Sequence, residues 1–543
     1  MKKIWSNNVL ATIIVVLMLV ISISSAFTIK LGEDTDGQKW FGTNDLITNS
    51  NGKAWIPNRD NLQAAIYDLN STGGIVYLPS GIIAIDETVK LIGGVYLEGV
   101  GRNSQNCTEL DADAGVSVIL NHDGISGTTT HRYGGVRGIY FNGNGVAGDV
   151  GVNKTNSSLW ATIEDCTFYN FEFAIRQIDT NGLIVDNCKI YGTTSAGIDS
   201  NYSASNSGAL HVSNCDFNPS GGYSIRLTKA YDCLIDGNWF EYSGVTGSHI
   251  YVYDSKNCKI VNNMVGTTGG STTDYGVYAD DSDGLVINSN VFGDDGFHIY
   301  LDTNCDNAVI SNNRINDGVE GIHLETDCLG SSIEGNSIYN TAGYGIDCGS
   351  NYVSISDNGI YTTTVNDGIF VDGSRCSITG NTIYDADSDG IDVKSFRSTY
   401  TGNIVYGSGR YGFYIENGKD ENVITGNIVR ESADVGIRIL AGENNSICNN
   451  VVVDNLGVGI SEEGASNNNI IVGNILEGNT GDEATIVGAH TRFTDNAGWG
   501  GHTIPTHNLT AVEGSIAGTM WYDTANNKIW IYDGSEWQYA EFT

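Results

Sequence analysis

Apolar positions recur along most of the chain at a period too long for a single helix or strand. One six-residue phrase returns throughout: an apolar residue, two small or polar residues, Asn, any residue and a second apolar residue, as in residues 235–240. Its Asn recurs every 22 to 27 residues, at Asn238, Asn263, Asn290, Asn313, Asn336, Asn358, Asn381, Asn403, Asn427, Asn450 and Asn474. Such self-similarity predicts a solenoid in which each repeat forms one coil stacked on the next.

A second phrase, Gly-Ile-x-apolar, follows each Asn after about ten residues. Its alternation predicts a strand whose two apolar side chains point inward while the residue between them points outward. These middle residues form the central column, which runs through Arg176, Asp199, Arg226, Tyr251, Tyr278, Tyr300, His323, Asp347, Phe370, Asp392, Tyr414, Arg438 and Ser461. The residues two positions further on form a parallel edge column, from Asn201 to Glu416. We expect the two columns to make one continuous face.

The recurrent Asn itself has a structural interpretation. Asn tolerates the left-handed region of backbone space, so we expect it to occupy a turn in that conformation. Stacked copies would then hydrogen-bond to the Asn above and below through their amides. We therefore expect the Asn ladder to stabilise the fold and not to take part in binding or catalysis.

Composition agrees with a turn-rich all-β solenoid. The chain has 70 Gly and only 4 Pro, and charged residues make up 17% of it. Glycine supplies positive φ at tight turns, whereas proline removes donors that a continuous sheet needs. The formal charge of -37 disfavours binding to nucleic acid or to anionic membranes.

The first residues resemble a secretory leader. Lys2 and Lys3 precede an apolar run over residues 9–21, and Ser24-Ser25-Ala26 offers a small-residue cleavage site. We expect residues 1–26 to be a signal peptide and residues 27–59 a leader segment, with an uncleaved anchor as the alternative. The mature protein is then expected to be secreted or at the cell surface, without membrane insertion.

Eleven cysteines in an exported chain would ordinarily suggest disulfides. Here Cys166, Cys188 and Cys215 share one position of the repeat, and they stand where later repeats carry the ladder Asn. Side chains that stack in register point the same way, which does not suit disulfide geometry. The placement therefore predicts buried thiols.

The repeats from about residue 163 to residue 476 resemble those of the right-handed parallel β-helix of pectate-lyase-like proteins. Residues 60–66, 73–79 and 95–101 are similar to the entry module of that family, in which a short helix caps the open end. The resemblance implies a β-helix over residues 60–497 with a capping helix near residues 61–69. Residues 498–543 change in composition and predict a small antiparallel β-module. Its Trp521, Trp530 and Trp537 could stack on sugars or form the module's own core.

The middle of the outward face carries the residue types that bind and cleave carbohydrate. The candidate carbohydrate-binding residues are Tyr251, Tyr278, Tyr300, Asp347, Phe370 and Asp392. The candidate catalytic residues are Asp280, Asp302, His323, Glu325, Asp294 and Asp295. Aromatic rings stack on sugars, and neighbouring carboxyls can divide the roles of acid and base. The alternative is structural, because an acidic chain has acidic columns and aromatic stacks stabilise sheets.

Two related enzyme classes bear on this face. The polygalacturonase family is similar in its aspartate cluster, which Asp274 and Asp294-Asp295 match, but the Gly-His-Gly and Arg-x-Lys motifs of that family are absent. Polysaccharide lyases of this fold use Arg or Lys as base, often with calcium, and Lys394 and Arg438 lie on the face. Calcium is therefore the cofactor to test, although no set of ligands is evident.

Three functions fit the sequence. The first is a secreted or cell-surface protein that binds a polysaccharide or cell-surface glycan and cleaves it as a lyase or glycoside hydrolase. The second is a non-catalytic adhesion or structural rod. The third is a protein similar to a viral tailspike, which the tail module favours and the leader disfavours.

Overall fold

A computed structural model describes residues 46–498, apart from 93, 104–105, 122–133, 156–159, 204–206, 242–246, 267–273, 294–295 and 489, together with residues 520–523, 528–532 and 537–541. The chain divides into two compact units, one comprising residues up to 203 with 210–220, the other comprising 204–209 with everything from 221 onward. Both consist of right-handed solenoid coils, about 17 turns in all. The predicted all-β, right-handed parallel β-helix is confirmed.

Each regular coil contributes one strand to each of three sheets, here called A, B and C in chain order. In the first unit, sheet A contains Ile47–Asn49, Ala54–Trp55, Gly74–Tyr77, Val95–Glu98, Gly134–Arg137, Ala161–Glu164, Leu183–Asp186 and Leu210–Ser213. Sheet B contains Gly81–Ile85, Thr108–Ala112, Ile139–Asn142, Thr167–Tyr169, Lys189–Tyr191 and Asp216–Asn218. Sheet C contains Val89–Leu91, Ser117–Asn121, Val150–Thr155, Phe173–Ile178 and Ala196–Asn201. Ile47–Asn49 pairs antiparallel with its neighbours, whereas the coils that follow pair in parallel.

The second unit repeats the arrangement more regularly. Sheet A contains Leu234–Asp236, Lys259–Val261, Val286–Asn288, Val309–Ser311, Ser332–Glu334, Ser354–Ser356, Ser377–Thr379, Thr399–Thr401, Val423–Thr425, Ser446–Cys448, Ile470–Val472 and Arg492–Thr494. Sheet B contains Trp239–Glu241, Met264–Gly266, Val291–Gly293, Arg314–Asn316, Ser337–Thr341, Gly359–Thr363, Thr382–Ala386, Ile404–Tyr406, Ile428–Arg430, Val451–Val453 and Ile475–Glu477. Sheet C contains Tyr223–Thr228, Ser248–Tyr253, Tyr275–Asp280, Phe297–Leu301, Glu320–Leu324, Ile346–Cys348, Ile369–Val371, Ile391–Val393, Phe413–Ile415, Ile437–Leu440, Ile460–Glu463 and Ala484–Thr485. A short parallel pair, Ser207–Gly208 and Ala230–Tyr231, lies outside these sheets.

The asparagine ladder forms as predicted, with one correction to its backbone. Asn381 donates its backbone N–H to Oδ1 of Asn403 at 3.0 Å and its amide to the same oxygen at 2.9 Å. The prediction that the Asn itself adopts the left-handed conformation was wrong, because the preceding residue does so, as Gly380 shows with φ 70°. This preceding residue turns the chain, and the Asn side chain points into the coil, where Asn381 is fully buried.

All eleven cysteines are free thiols, as predicted, and all but the half-buried Cys448 are buried. The backbone N–H of Cys188 donates to Sγ of Cys215 at 3.4 Å, so these thiols stack in the position of the later Asn ladder. A small apolar side chain with a weakly polar sulfur suits such a buried site.

Among the described residues, one helix, α1, spans Arg59–Asp68 and confirms the predicted cap. Asn58 begins it by accepting a hydrogen bond from the backbone N–H of Asn61 at 2.8 Å. On its buried face, Gln63 accepts from the backbone N–H of Lys90 at 2.7 Å and donates to the Lys90 carbonyl at 3.0 Å. The helix thereby occupies the free edge of the first sheet C strand, which would otherwise be open to further pairing.

The predicted C-terminal module has the expected antiparallel strands. Met520–Asp523, Lys528–Tyr532 and Trp537–Glu541 form a three-stranded sheet in which Trp521 pairs with Trp530. The predicted signal peptide lies outside the described residues. Within the part of the chain that the structure describes, no helix has the length and apolar character needed to cross a membrane.

Candidate functional site

The central column of the second unit lies on sheet C in the predicted order. Its strand pairings run from Arg226 and Tyr251 to Tyr278 and Tyr300, then to His323 and onward without a slip in register. A further column, here called the entry column, comes from the residue before the Gly of each phrase, or before His298 in the coil where His298 replaces that Gly: Tyr275, Phe297, Glu320, Tyr344, Asp367, Asp389 and Tyr411. The entry column places further aromatic and carboxyl side chains beside the residues that the sequence predicted.

The aromatic part of the central column is a continuous stack. The rings of Tyr251 and Tyr278 lie 5.6 Å apart, and those of Tyr278 and Tyr300 lie 5.7 Å apart, nearly parallel in both pairs. The His323 ring continues the stack at 4.3 Å from Tyr300. Because each ring covers its neighbour, Tyr278 and Tyr300 present edges and hydroxyls to solvent rather than open faces. A sugar at this point would meet ring edges and polar groups.

The acidic edge column is bonded to that stack. Tyr278 donates its hydroxyl to Asp302, and Tyr300 donates to Oε1 of Glu325 at 2.8 Å. Burial and these hydrogen bonds raise the pKa of both phenols, so they remain donors at ordinary pH. The candidate Asp280 accepts from the Thr303 hydroxyl at 3.1 Å, and burial raises its pKa.

His323 lies at the centre of a histidine cluster that also contains Glu320, Glu325 and Asp347. Its Nδ1 lies 2.9 Å from Oε2 of Glu320 and 3.2 Å from Oδ2 of Asp347. Its Nε2 lies 3.3 Å from Oε1 of Glu325. Burial lowers the pKa of His323, but the hydrogen bonds to Asp347 and Glu320 outweigh that effect and raise the pKa to about 10. The imidazole is therefore charged at neutral pH and offsets part of the surrounding negative charge.

We predict that the His323 ring titrates near pH 10. A histidine whose pKa is raised by folding stabilises the fold fully below its unfolded pKa of 6.5, and this contribution is lost as the pH rises through about 10. The test is NMR titration of ¹³C-labelled histidine, with His323→Gln used to assign the ring signal. A midpoint near 6.5 would show that the carboxylates do not hold the proton.

Further along sheet C, three aspartates form a second cluster, here called the aspartate cluster. A carboxylate oxygen from each of Asp367, Asp389 and Asp392 lies within 4.8 Å of the other two. Asp389 is fully buried, and Asp367 and Asp392 are only 6% and 5% exposed. Two successive coils supply them, since Asp367 and Asp389 precede the Gly of consecutive phrases while Asp392 belongs to the central column.

The three carboxyls have different surroundings. Asp389 forms a bidentate ion pair with Arg410, whose Nε lies 2.8 Å from Oδ1. Burial raises the pKa of Asp367 overall, although Asp367 accepts a hydrogen bond from the backbone N–H of Asp389 at 2.8 Å that acts in the opposite direction. Asp392 has a buried Oδ1 without any hydrogen-bond partner. Burial and the nearby charge of Asp367 raise the pKa of Asp392 to about 9, so Asp392 carries a proton at neutral pH.

Aromatic rings and cations surround the aspartate cluster. Tyr344 packs 5.1 Å from Phe370 in a tilted arrangement, and Arg410 lies over the Tyr411 and Tyr414 rings at 4.8 and 5.1 Å. Burial and the nearby carboxylates raise the pKa of Tyr344 to about 12. The cluster thus has apolar surface and hydrogen-bond donors beside a protonated carboxyl.

Sequence reasoning found part of this arrangement. His323, Glu325 and Asp347 meet as neighbours, and Phe370 and Asp392 lie in the same column, whereas Asp294 and Asp295 lie outside the described residues. Their roles in catalysis and binding stay predictions. Glu320, Asp367, Asp389, Tyr344 and Arg410 were missed, although the residue before each phrase's Gly is a sequence signal that identifies the first four.

Two sets of side chains on this face could hold a metal ion. Glu320, His323 and Asp347 offer one nitrogen and two oxygens, and the aspartate cluster offers oxygens alone, each set within 4.8 Å. An all-oxygen set suits calcium and a mixed set suits a transition metal. The expectation of calcium thus concerns the aspartate cluster, where the proton on Asp392 would compete with the ion.

Comparison with known proteins supports the fold. The family described as "Right handed beta helix region" matches residues 93–265, 268–375 and 367–529. Among curated proteins, no significant match was found.

Among solved structures, a tailspike protein mutant of E. coli bacteriophage HK620 in complex with a hexasaccharide is 14% identical, covers 86% of each chain and has a TM-score of 0.38. The N-terminal fragment of gene product 12 from bacteriophage Phi29 is 11% identical over 84% of this chain and 94% of that one, with a TM-score of 0.38. The catalytic unit of a GH87 α-1,3-glucanase from Streptomyces thermodiastaticus is 13% identical over 81% of this chain and 66% of that one, with a TM-score of 0.30. At these identities, the likeness concerns the fold alone.

Proposed function

Since the chain belongs to the right-handed β-helix family, whose coils present a long side wall, we propose that sheet C of its second unit binds a polysaccharide and hydrolyses one of its glycosidic bonds at the aspartate cluster. The fold itself hosts many activities, so the proposal depends on the site. The observation that carries it is Asp392, a buried carboxyl whose Oδ1 has no hydrogen-bond partner and which keeps its proton beside the carboxyl of Asp367.

Hydrolysis needs an acid and a base or nucleophile on the same glycosidic bond. Asp392 would donate its proton to the leaving oxygen as the bond from that oxygen to the anomeric carbon breaks. Asp367 in its ionised form, with its Oδ1 held by the backbone N–H of Asp389, would attack the anomeric carbon and form a glycosyl ester. Water would then cleave the ester and return its proton to Asp392. Arg410 forms two charge-assisted hydrogen bonds to Asp389 and so fixes the position of that carboxyl beside the other two.

The spacing of the carboxyls specifies the stereochemistry. Oxygens within 4.8 Å leave no room for a water molecule between carboxylate and sugar. Retaining glycosidases place their carboxyls about 5–5.5 Å apart, whereas inverting ones need roughly 6.5–9.5 Å. We therefore expect the first product to retain the anomeric configuration, which NMR of fresh digests would show. Inversion would exclude Asp367 as the nucleophile.

The remainder of the face would hold the chain of sugars. The histidine cluster and the edge-column carboxylates offer acceptors for sugar hydroxyls, and Phe370 and Tyr414 flank the aspartate cluster in the central column. We place the substrate outside the cell, as an extracellular or cell-surface glycan, because the leader-like residues 2–26 suggest export.

The test is incubation of the purified protein with a panel of neutral and uronate-containing polysaccharides, with and without calcium. We expect new reducing ends, without unsaturated products, from at least one polymer. Unsaturated ends would indicate a lyase and would contradict the acid role of Asp392. Retention of a polymer without any cleavage would support the non-catalytic adhesion protein instead.

A further inference from the structure

An open cavity of about 660 Å³ lies on sheet B of the first unit. Its floor comes from neighbouring strands, with Tyr140, Thr167 and Lys189 paired side by side and Tyr191 two residues after Lys189. Its wall comes from Arg102 and Asn103, in the segment that precedes the strand Thr108–Ala112. Cavities of roughly 300–1,000 Å³ are the size that small ligands occupy in proteins.

The wall of the cavity is anchored across the coils. Arg102 donates through Nη2 to Oδ1 of Asn187 at 3.1 Å and through Nη1 to the Asn187 carbonyl. A guanidinium has five N–H donors, so these two bonds orient it and leave further donors for a ligand. The cavity is therefore formed before a ligand arrives, which lowers the entropic cost of binding.

The residues that line the cavity carry positive charge, whereas the chain as a whole is strongly acidic. The protein has 64 acidic and 27 basic residues, yet the lining contains two cations, Arg102 and Lys189, and no carboxylate. Carboxylates lie beside the lining rather than in it: Asp216 is 3.9 Å from Nζ of Lys189 and accepts from the Tyr191 hydroxyl at 3.3 Å, and Glu109 is paired in register with Tyr140. Asp216 offsets the charge of Lys189, whereas the two hydrogen bonds described for the Arg102 side chain both go to the uncharged Asn187.

The other lining groups suit a polyol. Asn103, Thr167 and the two phenols offer both donors and acceptors to hydroxyl groups, and the rings of Tyr140 and Tyr191 offer apolar surface to a pyranose. A guanidinium binds a carboxylate through two parallel N–H donors, which a neutral sugar cannot use. The combination of a planar cation, an ammonium, aromatic rings and hydroxyl partners matches one acidic sugar residue.

We propose that this cavity binds a single uronate residue of an acidic saccharide, with the carboxylate held by Arg102 and Lys189. The site belongs to the first unit and does not depend on hydrolysis at the aspartate cluster. If the cavity does not bind a uronate, hydrolysis at the aspartate cluster is not contradicted. If the protein does not hydrolyse a polysaccharide, uronate binding in the cavity is not contradicted.

The test is isothermal titration of the full-length protein with glucuronate, galacturonate, glucose and inorganic phosphate. We expect a uronate to bind and glucose to bind at least about tenfold more weakly, because a charge-assisted hydrogen bond contributes that much or more. Lys189→Gln and Arg102→Gln should each weaken uronate binding by about tenfold or more. Arg137→Gln, which removes a cation of the first unit that pairs with Glu98 on sheet A, should leave it unchanged.

Three outcomes would overturn the proposal. Glucose binding as tightly as the uronates would remove the role of the cations. Phosphate displacing uronate at equal affinity would show a general anion site rather than a saccharide site. Unaltered uronate binding in Lys189→Gln, whose exposed side chain can be changed without touching the Arg102 anchor, would place the ligand elsewhere.

Discussion

Asp392→Asn is expected to lower the rate of polysaccharide hydrolysis by about 100- to 10,000-fold, the usual contribution of a general acid. Asparagine has nearly the same shape and cannot deliver a proton, so polysaccharide binding should persist. Initial rates of reducing-end release and retention of the same polymer on affinity gels measure the two effects separately. Loss of binding together with the rate would show that Asp392 holds the sugar rather than protonating the leaving group.

The matched control is Glu334→Gln, which neutralises an exposed carboxylate on sheet A of the same unit. It makes the same carboxyl-to-amide change as Asp392→Asn but leaves the outward face of sheet C intact. Its hydrolysis should equal that of the wild type. A comparable loss in both variants would show that the effect does not arise at the aspartate cluster.

The pH dependence follows from the same proton. Hydrolysis should decline as the pH rises through about 9, where Asp392 ionises. The folded state also keeps this proton far above the ordinary Asp pKa of 3.8, so the free energy of unfolding should fall as the pH rises between those two values. Asp392→Asn should flatten this fall, which urea unfolding at a series of pH values would show. An equally steep fall in the variant would mean that another group carries the proton.

Asn381→Ala is expected to lower the free energy of unfolding by about 3–5 kcal/mol, because it leaves several buried polar groups unpaired. The Asn381 side chain is fully buried; its Oδ1 accepts from the backbone and amide of Asn358, and its amide donates to the Ile355 carbonyl at 2.9 Å. Equilibrium urea unfolding measures the loss, and hydrogen exchange in the flanking coils would show whether it spreads along the ladder.

The control for the ladder is Ser377→Ala, in the same coil and three residues before Gly380, which has the left-handed conformation. Ser377 is exposed, and the one hydrogen bond described for its hydroxyl joins it to the Thr379 hydroxyl at 3.3 Å. Exposed substitutions of this kind usually change stability by less than about 0.5 kcal/mol. If Asn381→Ala were equally mild, water would have to replace the lost ladder bonds.

The sequence by itself predicted the coil, the ladder and the order of the central column. Side chains on a strand alternate with period two, and a repeated phrase brings the same position of each coil into register, so the neighbours of Tyr278 could be deduced without coordinates. The free thiols followed from the same regularity, whereas the capping helix followed from the resemblance to the entry module of the pectate-lyase-like family. The period of the repeat determines which residues share a column, because membership of a column depends on position within the repeat and not on distances in space.

The tertiary structure decided which of these residues act on one another. Asp367 belongs to the coil before that of Asp389 and Asp392, and its approach to them depends on how far one turn carries the chain before the next strand begins. The proton on Asp392 depends on its 5% exposure and on the nearby charge of Asp367, neither of which is a property of the repeat. Likewise, the ring stack covers the faces that single tyrosines would have offered to sugars. Burial, charge and ring orientation arise only when the coils stack, and so the chemistry of the face, unlike its order, was decided in three dimensions.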